Sequence, residues 1–181
     1  MDTIGIIELN SIARGMEVTD SLLKAAEVKL LKANTICPGK YIVIVKGMVG
    51  AVKSAVETGV EIGKENVVES RVISRLDSRV INAINAATEI QDMKSLGVLE
   101  FFDVTSALYA ADCAIKAADV EIIEIRMGYA IGGKSFVTLT GDLSAVDAAV
   151  EAGFKAGKDN CMLVYKTVIP SPSKELLESL L

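Results

Sequence analysis

Hydrophobic and polar residues follow one order along this chain, and the order occurs twice. In the first half, short runs rich in Ile, Val and Leu predict strands, and longer segments with apolar residues three or four positions apart predict helices. The elements predicted there are strand 4–9, helix 11–26, strand 28–32, strand 41–45, helix 49–62 and strand 67–73. This strand–helix–strand–strand–helix–strand order is that of the ferredoxin-like, or split βαβ, α+β domain.

The second half predicts the same six elements in the same order. They are strand 96–101, helix 105–117, strand 120–126, strand 136–139, helix 144–155 and strand 162–169. A helix over 77–90 is predicted between the halves, and a short amphipathic helix over 173–181 after prolines end the last strand. Asn10 or Ser11, and later Asp142, stand where a helix N-cap is expected.

The two halves are also alike residue by residue. LGVLE at 96–100 repeats IGIIE at 4–8, and DCAIKAADV at 112–120 repeats DSLLKAAEV at 20–28, both at an offset of 92 residues. A repeat of this length predicts two domains, residues 1–92 and 93–181, rather than the units of a solenoid. The offset later becomes 94, because the loop after the second predicted strand is two residues longer in the second copy. The copies differ most at that loop.

The chain is more apolar than two small domains require. Of its 181 residues, 51% are hydrophobic, and a domain of about 90 residues has a limited interior in which to bury them. No stretch approaches the ~20 apolar residues that span a bilayer, and the first residues lack the basic and apolar regions of a signal peptide. We therefore expect extensive contact between subunits and no membrane partner.

Charge and residue types exclude several functions. The net charge of −5 and the lack of a dense Lys/Arg cluster argue against a nucleic-acid partner. The chain has no His, which excludes Ser-His and Cys-His catalysis and every His-containing metal site. Its three cysteines are too scattered for a disulfide framework, so we expect a reducing, cytoplasmic location. We also expect that the protein is not an enzyme.

The repeated motifs resemble those of a known family, the bacterial microcompartment shell proteins, here with two shell (BMC) domains in tandem and in unpermuted strand order. The resemblance rests on GIIE at 5–8 and GVLE at 97–100, and on the helices DSLLKAA and DCAIKAA that follow them. It covers nearly the whole chain. The segment ICPGK at 36–40 is similar to that of T-type tandem members of propanediol-utilisation shells.

This resemblance implies an assembly and a pore. Three chains would form a homotrimer shaped like a hexamer, which would tile a microcompartment shell with other shell proteins, and encapsulated redox enzymes are further candidate partners. The loops after the second strand of each copy would line a central pore. Their residues are Thr35, Ile36, Cys37, Pro38 and Gly39 in the first copy and Tyr129, Ala130, Ile131, Gly132 and Gly133 in the second.

Cys37 is the candidate metal ligand. An isolated cysteine is commonly a small buried hydrophobe, but Cys37 precedes Pro-Gly in a turn, where little apolar burial is expected. In the T-type relatives one cysteine per subunit meets its copies at the threefold axis and binds an iron–sulfur cluster, and Cys37 is the residue that matches it. The resemblance thus implies one [4Fe–4S] cluster per trimer, for electron transfer or cluster exchange across the shell. A structural ion such as zinc, or an empty pore, are the alternatives.

Other residues are candidates for contacts between oligomers or for structural roles. By the same resemblance, Lys24, Lys116 and Arg75 are candidates for the edge where neighbouring oligomers meet. Glu8 and Glu100 occupy equivalent strand positions, and we expect them to accept structural hydrogen bonds rather than to perform acid–base work. The remaining cysteines, Cys113 and Cys161, are expected in the core or at an interface.

Two rival functions fit the same residues. A ferredoxin-like regulatory module would bind a small metabolite at a domain or subunit interface. An enzyme would use Cys37 as a nucleophile, although no base is evident in the sequence. A shell protein should form trimers that grow into sheets or tubes, whereas a regulatory module should stay discrete and respond to its metabolite.

Overall fold

The computed structural model describes residues 2–85, 88, 90, 93–158 and 162–180 of the chain. The elements of the first copy are β1 Asp2–Leu9, α1 Ile12–Ala25, β2 Lys29–Ile36, β3 Lys40–Gly47, α2 Val49–Gly63, a single 3₁₀ turn Lys64–Asn66, and β4 Val67–Leu76. Helix α3, Ser78–Ile84, follows β4. The elements of the second copy are β5 Ser95–Phe101, α4 Val104–Ala117, β6 Glu121–Met127, β7 Ser135–Gly141, α5 Leu143–Lys158 and β8 Leu163–Ile169, and α6 Lys174–Glu178 comes after them.

The strands form two four-stranded sheets, one for each copy. Their strand orders are β2-β3-β1-β4 and β6-β7-β5-β8, and all neighbouring strands are antiparallel. Helices α1 and α2 pack together on the first sheet, and α4 and α5 pack together on the second. The predicted ferredoxin-like α+β fold in two tandem copies is therefore confirmed.

Contacts divide the chain into two compact units. The first unit consists of residues up to Leu76 together with Tyr129–Gly133, and the second consists of Asp77–Gly128 and the residues from Lys134 onward. The segment Tyr129–Gly133 is the loop between β6 and β7, so a loop of the second copy packs with the first copy. The domain boundary between residues 92 and 93 stays a prediction, since residues 91 and 92 lie outside the described part of the chain.

The core of each unit lies between its helix pair and its sheet. In the first unit the apolar face of α1 contributes Val18 and Leu22, which pack with Ile7 and Val43 of the sheet and with Val52 of α2. Burial of one such side chain contributes about 1.5–3 kcal/mol. Helix α1 begins at its predicted cap, because the Ser11 hydroxyl accepts a hydrogen bond from the backbone N–H of Arg14 at 3.3 Å.

The two cores are filled by large rings from different strands. In the first unit Tyr41 of β3 lies against Gly15, where an added Cβ would come within 2.4 Å of the ring. At the position equivalent to Tyr41 the second unit has the small Ser135, and its large ring is instead Phe101 of β5, which is 0% exposed. The same fold therefore accommodates two different core packings.

The bounds of many predicted elements differ in the structure, among them those of the helix after β4, of β2 and of the tail helix. The helix predicted over 77–90 is shorter, since it ends at Ile84. Thr88 lies outside it, and its hydroxyl donates a hydrogen bond to the carbonyl of Ile123 at 2.8 Å. Strand β2 continues past the predicted end at residue 32 to Ile36, because it pairs with β3 along its full length. The predicted tail helix is limited to Lys174–Glu178.

The predicted cap of the other long helix is only partly realised. The backbone carbonyl of Asp142 accepts hydrogen bonds from Ala145 and Val146, both at 2.9 Å, while its carboxylate accepts one from Lys94 at 2.8 Å. Among the helices that the structure describes, none combines the length and the apolar character needed to cross a membrane.

Candidate functional site

The candidate ligand Cys37 lies at the tip of the hairpin formed by β2 and β3. Pairing of these strands continues to Ile36 and Lys40, and the N–H of Gly39 donates to the carbonyl of Ile36 at 3.1 Å. The Cys37–Pro38 peptide bond is cis, and Gly39 has a φ of 91°, a conformation that favours glycine. The predicted turn is therefore confirmed. The Cys37 thiol is free and partly exposed there.

An ion pair holds the strand that leaves this turn. Lys40 Nζ lies 2.7 Å from Glu8 Oε1, and the Glu8 side chain is 0% exposed. The second copy repeats the pair, with Lys134 Nζ 2.9 Å from Glu100 Oε1, but there both side chains keep substantial exposure. Glu8 and Glu100 thus make the structural hydrogen bonds that the sequence predicts.

The loop of the second copy lies against the Cys37 turn. Gly133 has a φ of 83°, and a Cβ placed on it would lie 2.4 Å from the Cys37 carbonyl oxygen and 2.7 Å from Pro38 Cδ. Lys32 Nζ is 5.7 Å from the centroid of the Tyr129 ring, within cation–π range. Burial raises the pKa of Tyr129 above its usual value. The structure therefore brings three of the predicted pore-loop residues together, namely Cys37, Pro38 and Gly133, and it places Tyr129 beside Lys32.

The other predicted loop residues differ in exposure. Ile36 is buried, at 4% exposure, and so belongs to the interior of the unit. Ile131 is half-buried, and the remaining loop residues, which are Thr35, Pro38, Gly39, Ala130 and Gly132, are exposed. Ala130 and Gly132 both have positive φ, at 59° and 66°, so the second loop is a tight, backbone-determined bend.

The lattice-edge candidates lie away from the loops in sequence. Lys24 Nζ pairs with Asp20 at 2.6 Å, and Lys116 pairs with Asp112, each within the last turn of the first helix of its copy. Arg75 is exposed at the end of β4, with a φ of 56°. Their role at an oligomer edge stays a prediction.

Only one cysteine other than Cys37 lies in the described part of the chain. Cys113 is half-buried within α4, in keeping with a core or interface position. Cys161 lies outside the described residues. Within the described residues, no three His, Cys, Asp or Glu side chains lie together as a metal site would require.

Comparisons with known proteins agree with this architecture. The family model for the BMC domain matches residues 3–76 and again 95–172. The bacterial microcompartment shell protein PduT of Citrobacter freundii is 37% identical over 173 residues, which cover 96% of this chain and 94% of that protein.

Two solved structures are similar to this chain. A microcompartment protein from Desulfitobacterium hafniense DCB superimposes with a TM-score of 0.90 at 47% identity, covering 98% of this chain and 99% of the other. The fused permuted hexameric shell protein MSM0275 from the RMM microcompartment has a TM-score of 0.66 at 29% identity, covering 87% and 84%.

The same family model matches each of the two ferredoxin-like domains over nearly its whole length. These two matches define the class of protein to which the chain belongs. The chain belongs to the BMC-domain family, with two BMC domains in tandem. Within that family it is a structural shell protein of bacterial microcompartments, of the type of PduT. The resemblance seen in the sequence is confirmed, and it favours a shell protein over the regulatory module and the cysteine-dependent enzyme.

Proposed function

We propose that this chain assembles as a homotrimer in which six BMC domains form a pseudohexamer, and that the trimers tile the shell together with other shell proteins. The observation that carries the proposal is the duplication, since both copies have the same strand order and match the same family model. Three tandem chains supply six domains to one ring. The relative MSM0275, which is also a fusion, is described as hexameric, and this supports a six-domain ring. The role is structural and not catalytic.

A metal cluster fits this chain only as a group shared between subunits. Within the described residues one chain has a single cysteine in a loop, the partly exposed Cys37, whereas a [4Fe–4S] cluster takes its ligands from several cysteines. Threefold symmetry would bring three Cys37 side chains to one axis. Cys37 of each subunit would therefore hold one [4Fe–4S] cluster per trimer, and such a cluster would carry single electrons across the shell or be exchanged through it.

The surrounding residues give Cys37 a fixed position. The hairpin pairing and the Gly39–Ile36 hydrogen bond close the turn, and the buried Glu8–Lys40 pair fixes the strand after it. Gly133 packs on the carbonyl side of Cys37 and limits movement of the turn. Backbone N–H groups near cluster sulfur tune reduction potential. Electron transfer by this route would serve redox enzymes enclosed by the shell.

The cluster is tested by anaerobic reconstitution of the full chain, followed by its visible absorption spectrum and its iron, sulfide and zinc contents. We expect one cluster for three chains in the wild type. Cys37→Ser should lose the iron and the absorption while remaining a trimer, as measured by light scattering. Cys113→Ser is the matched control, because Cys113 is half-buried in a helix and should keep the full iron content.

Three results would contradict the cluster. They are a colourless, iron-free wild-type trimer, an iron content that Cys37→Ser leaves unchanged, and stoichiometric zinc in place of iron. Each of these leaves the shell role standing. A wild type that remains a single chain at every concentration would contradict the pseudohexamer itself.

A further inference from the structure

The segment after the last strand is repeated in the two copies. Sheet pairing aligns Ile73 with Ile169, because each is opposite the equivalent residue of its central strand, Ile4 or Leu96. Continued at that register, helix α3 corresponds to helix α6. Each helix is capped by a side chain just before it: Asp77 accepts from the N–H of Arg79 at 2.9 Å, and Ser173 accepts from the N–H of Leu176 at 3.3 Å.

Helix α3 is docked within the second unit. Its residues Val80, Ala83 and Ile84 are buried, with exposures of 0%, 4% and 2%, and it packs against β6 and α4. Two polar contacts fix its start. The N–H of Asp77 donates to Asp112 at 3.1 Å, and the Arg79 guanidinium donates to the carbonyl of Val120 at 2.9 Å.

Helix α6 has the same kind of face with nothing covering it. None of its described residues is buried, and Leu176, which stands where α3 has the fully buried Val80, is 37% exposed. A short helix with no packed face is not stable alone in water. The apolar positions of α6 therefore need a partner surface.

The first unit carries the surface that α3 covers in the second unit, and there it is open. Leu30 of β2 is 37% exposed, whereas its equivalent Ile122 of β6 is 2% exposed. The Asp20 carboxylate is 63% exposed, whereas its equivalent Asp112 is 4% exposed. The open surface, which we call the α1–β2 surface, thus differs from the α4–β6 surface by the absence of a docked helix.

Charge complementarity also links α6 to the α1–β2 surface. In the docked helix α3, the hydrogen bond from Arg79 to Asp77 raises the pKa of Arg79, and the nearby carboxylates of Asp119 and Glu121 raise it further. At the position of Arg79, helix α6 has Glu175, and at the position of Glu121 the first unit has Lys29. The signs of Arg79 and Glu121 are therefore both reversed, whereas Glu27, at the position of Asp119, keeps the negative charge.

Lys29 moreover lies directly opposite Lys46 in the pairing of β2 with β3. Glu175 on a docked α6 would place an acidic side chain beside this pair of basic residues.

We propose that helix α6 of one chain docks on the α1–β2 surface of a second copy of this chain, in the way that α3 docks within the second unit. The contact is heterologous, so successive copies join head to tail and close into a ring when the rotation permits. This inference deepens the self-assembly proposed above and names the segment, residues 173–180, that carries it. Leu176 and Leu180 would cover Leu30 and its neighbours, and Glu175 would pair with Lys29.

The first test removes or disables the helix. A chain ending at Pro172 and the variant Leu176→Asp should remain folded, because no residue of α6 is buried in the single chain. Both variants should raise the protein concentration at which half of the chains are assembled by at least about tenfold. Light scattering over a dilution series measures this concentration. Glu178→Lys is the matched control, since the equivalent Asn82 is on the exposed side of α3, and it should assemble like the wild type.

The second test exchanges charges. Glu175→Lys and Lys29→Glu should each weaken assembly, and the double variant should restore it towards the wild-type value. Two results would overturn the docking. They are a truncated chain that still assembles like the wild type, and a double variant no better than the worse single variant. Both leave the pseudohexamer standing, whereas a wild type that never assembles would overturn the pseudohexamer as well.

Discussion

At the scale of single residues, the Cys37 turn is fixed from three directions. Strand pairing of β2 with β3 holds its two ends, the Glu8–Lys40 pair anchors the strand after it, and Gly133 lies against its carbonyl side. The last two contacts come from residues distant in sequence. They explain how an exposed hairpin tip can present a thiol in one defined position.

Replacing Gly133 by Ala should destabilise the protein more than the same change at Gly132. Both glycines have positive φ, which costs an alanine about 1 kcal/mol, but only at Gly133 would the new Cβ meet backbone atoms of Cys37, at 2.4 Å. Such overpacking adds about 1–3 kcal/mol. Urea unfolding of the two variants measures the difference. Equal losses of stability would show that the loop does not press on the Cys37 turn.

Removing the lysine from each of the two equivalent ion pairs should lower the free energy of unfolding by different amounts. Lys40→Met leaves the fully buried Glu8 carboxylate without its lysine and should cost about 2–4 kcal/mol. Lys134→Met leaves Glu100 partly exposed to water and should cost below about 1 kcal/mol. Denaturant unfolding at neutral pH compares them. A similar cost for both variants would contradict the role assigned to Glu8 burial.

At the scale of elements, the period of apolar residues predicts the helices and strands well where burial is one-sided. It does not find the end of β2, because Ala33 and Asn34 have weak strand propensity and are held by pairing with β3. It also extends the helix after β4 too far, since the apolar pattern continues past Ile84 while the backbone leaves the helix at Asn85. Contacts with other elements, rather than the local sequence, therefore determine where β2 and α3 end.

The sequence also does not predict where the loop between β6 and β7 packs. The glycines at 132 and 133 predict a bend, and the resemblance implies a pore loop, but no local signal indicates that Gly133 contacts Cys37, 96 positions earlier. The two-residue insertion that changes the repeat offset is the one sequence feature at this place.

The cap of α3 should make stability depend on pH in the acid range. The hydrogen bond from Arg79 lowers the pKa of Asp77 below its usual value of 3.8. Because the unfolded chain then binds the proton first, this contribution is present above pH about 4 and is lost as the pH falls through the lower folded pKa.

Asp77→Asn should therefore cost about 0.5–1 kcal/mol at neutral pH, a modest value because the pair is partly exposed, and the difference from wild type should shrink as the pH falls below about 4. Asp142→Asn is the control, since its carboxylate is 75% exposed beside Lys94. Urea unfolding between pH 2 and 7 tests this. A cost for Asp77→Asn that does not change with pH would contradict the charge pairing.

At the scale of the whole molecule, the high share of hydrophobic residues agrees with the large apolar side chains that the single chain leaves exposed. Met16, Met48 and Tyr165 are 56%, 80% and 68% exposed. Isolated exposures of this kind are ordinary on a monomer, but here they accompany an uncovered helix α6 and an uncovered α1–β2 surface. In the proposed ring, helix α6 of one chain packs on the α1–β2 surface of the next chain, so both are covered.

The duplication also sets the number of thiolates in that ring. Only the first copy has a cysteine in its loop, and the second copy has Tyr129 and Ala130 followed by glycines. A trimer of tandem chains therefore places three Cys37 side chains, and not six, around one axis. A homohexamer of single domains could not make that distinction.

Native mass spectrometry of the anaerobically reconstituted full chain tests this account most directly, because it reads subunit number and cofactor content on the same ion. We expect an ion of three chains, each of 19.2 kDa, with the added mass of a single [4Fe–4S] cluster. This expectation is contradicted by a single chain as the only species, or by a three-chain species that carries no iron after reconstitution.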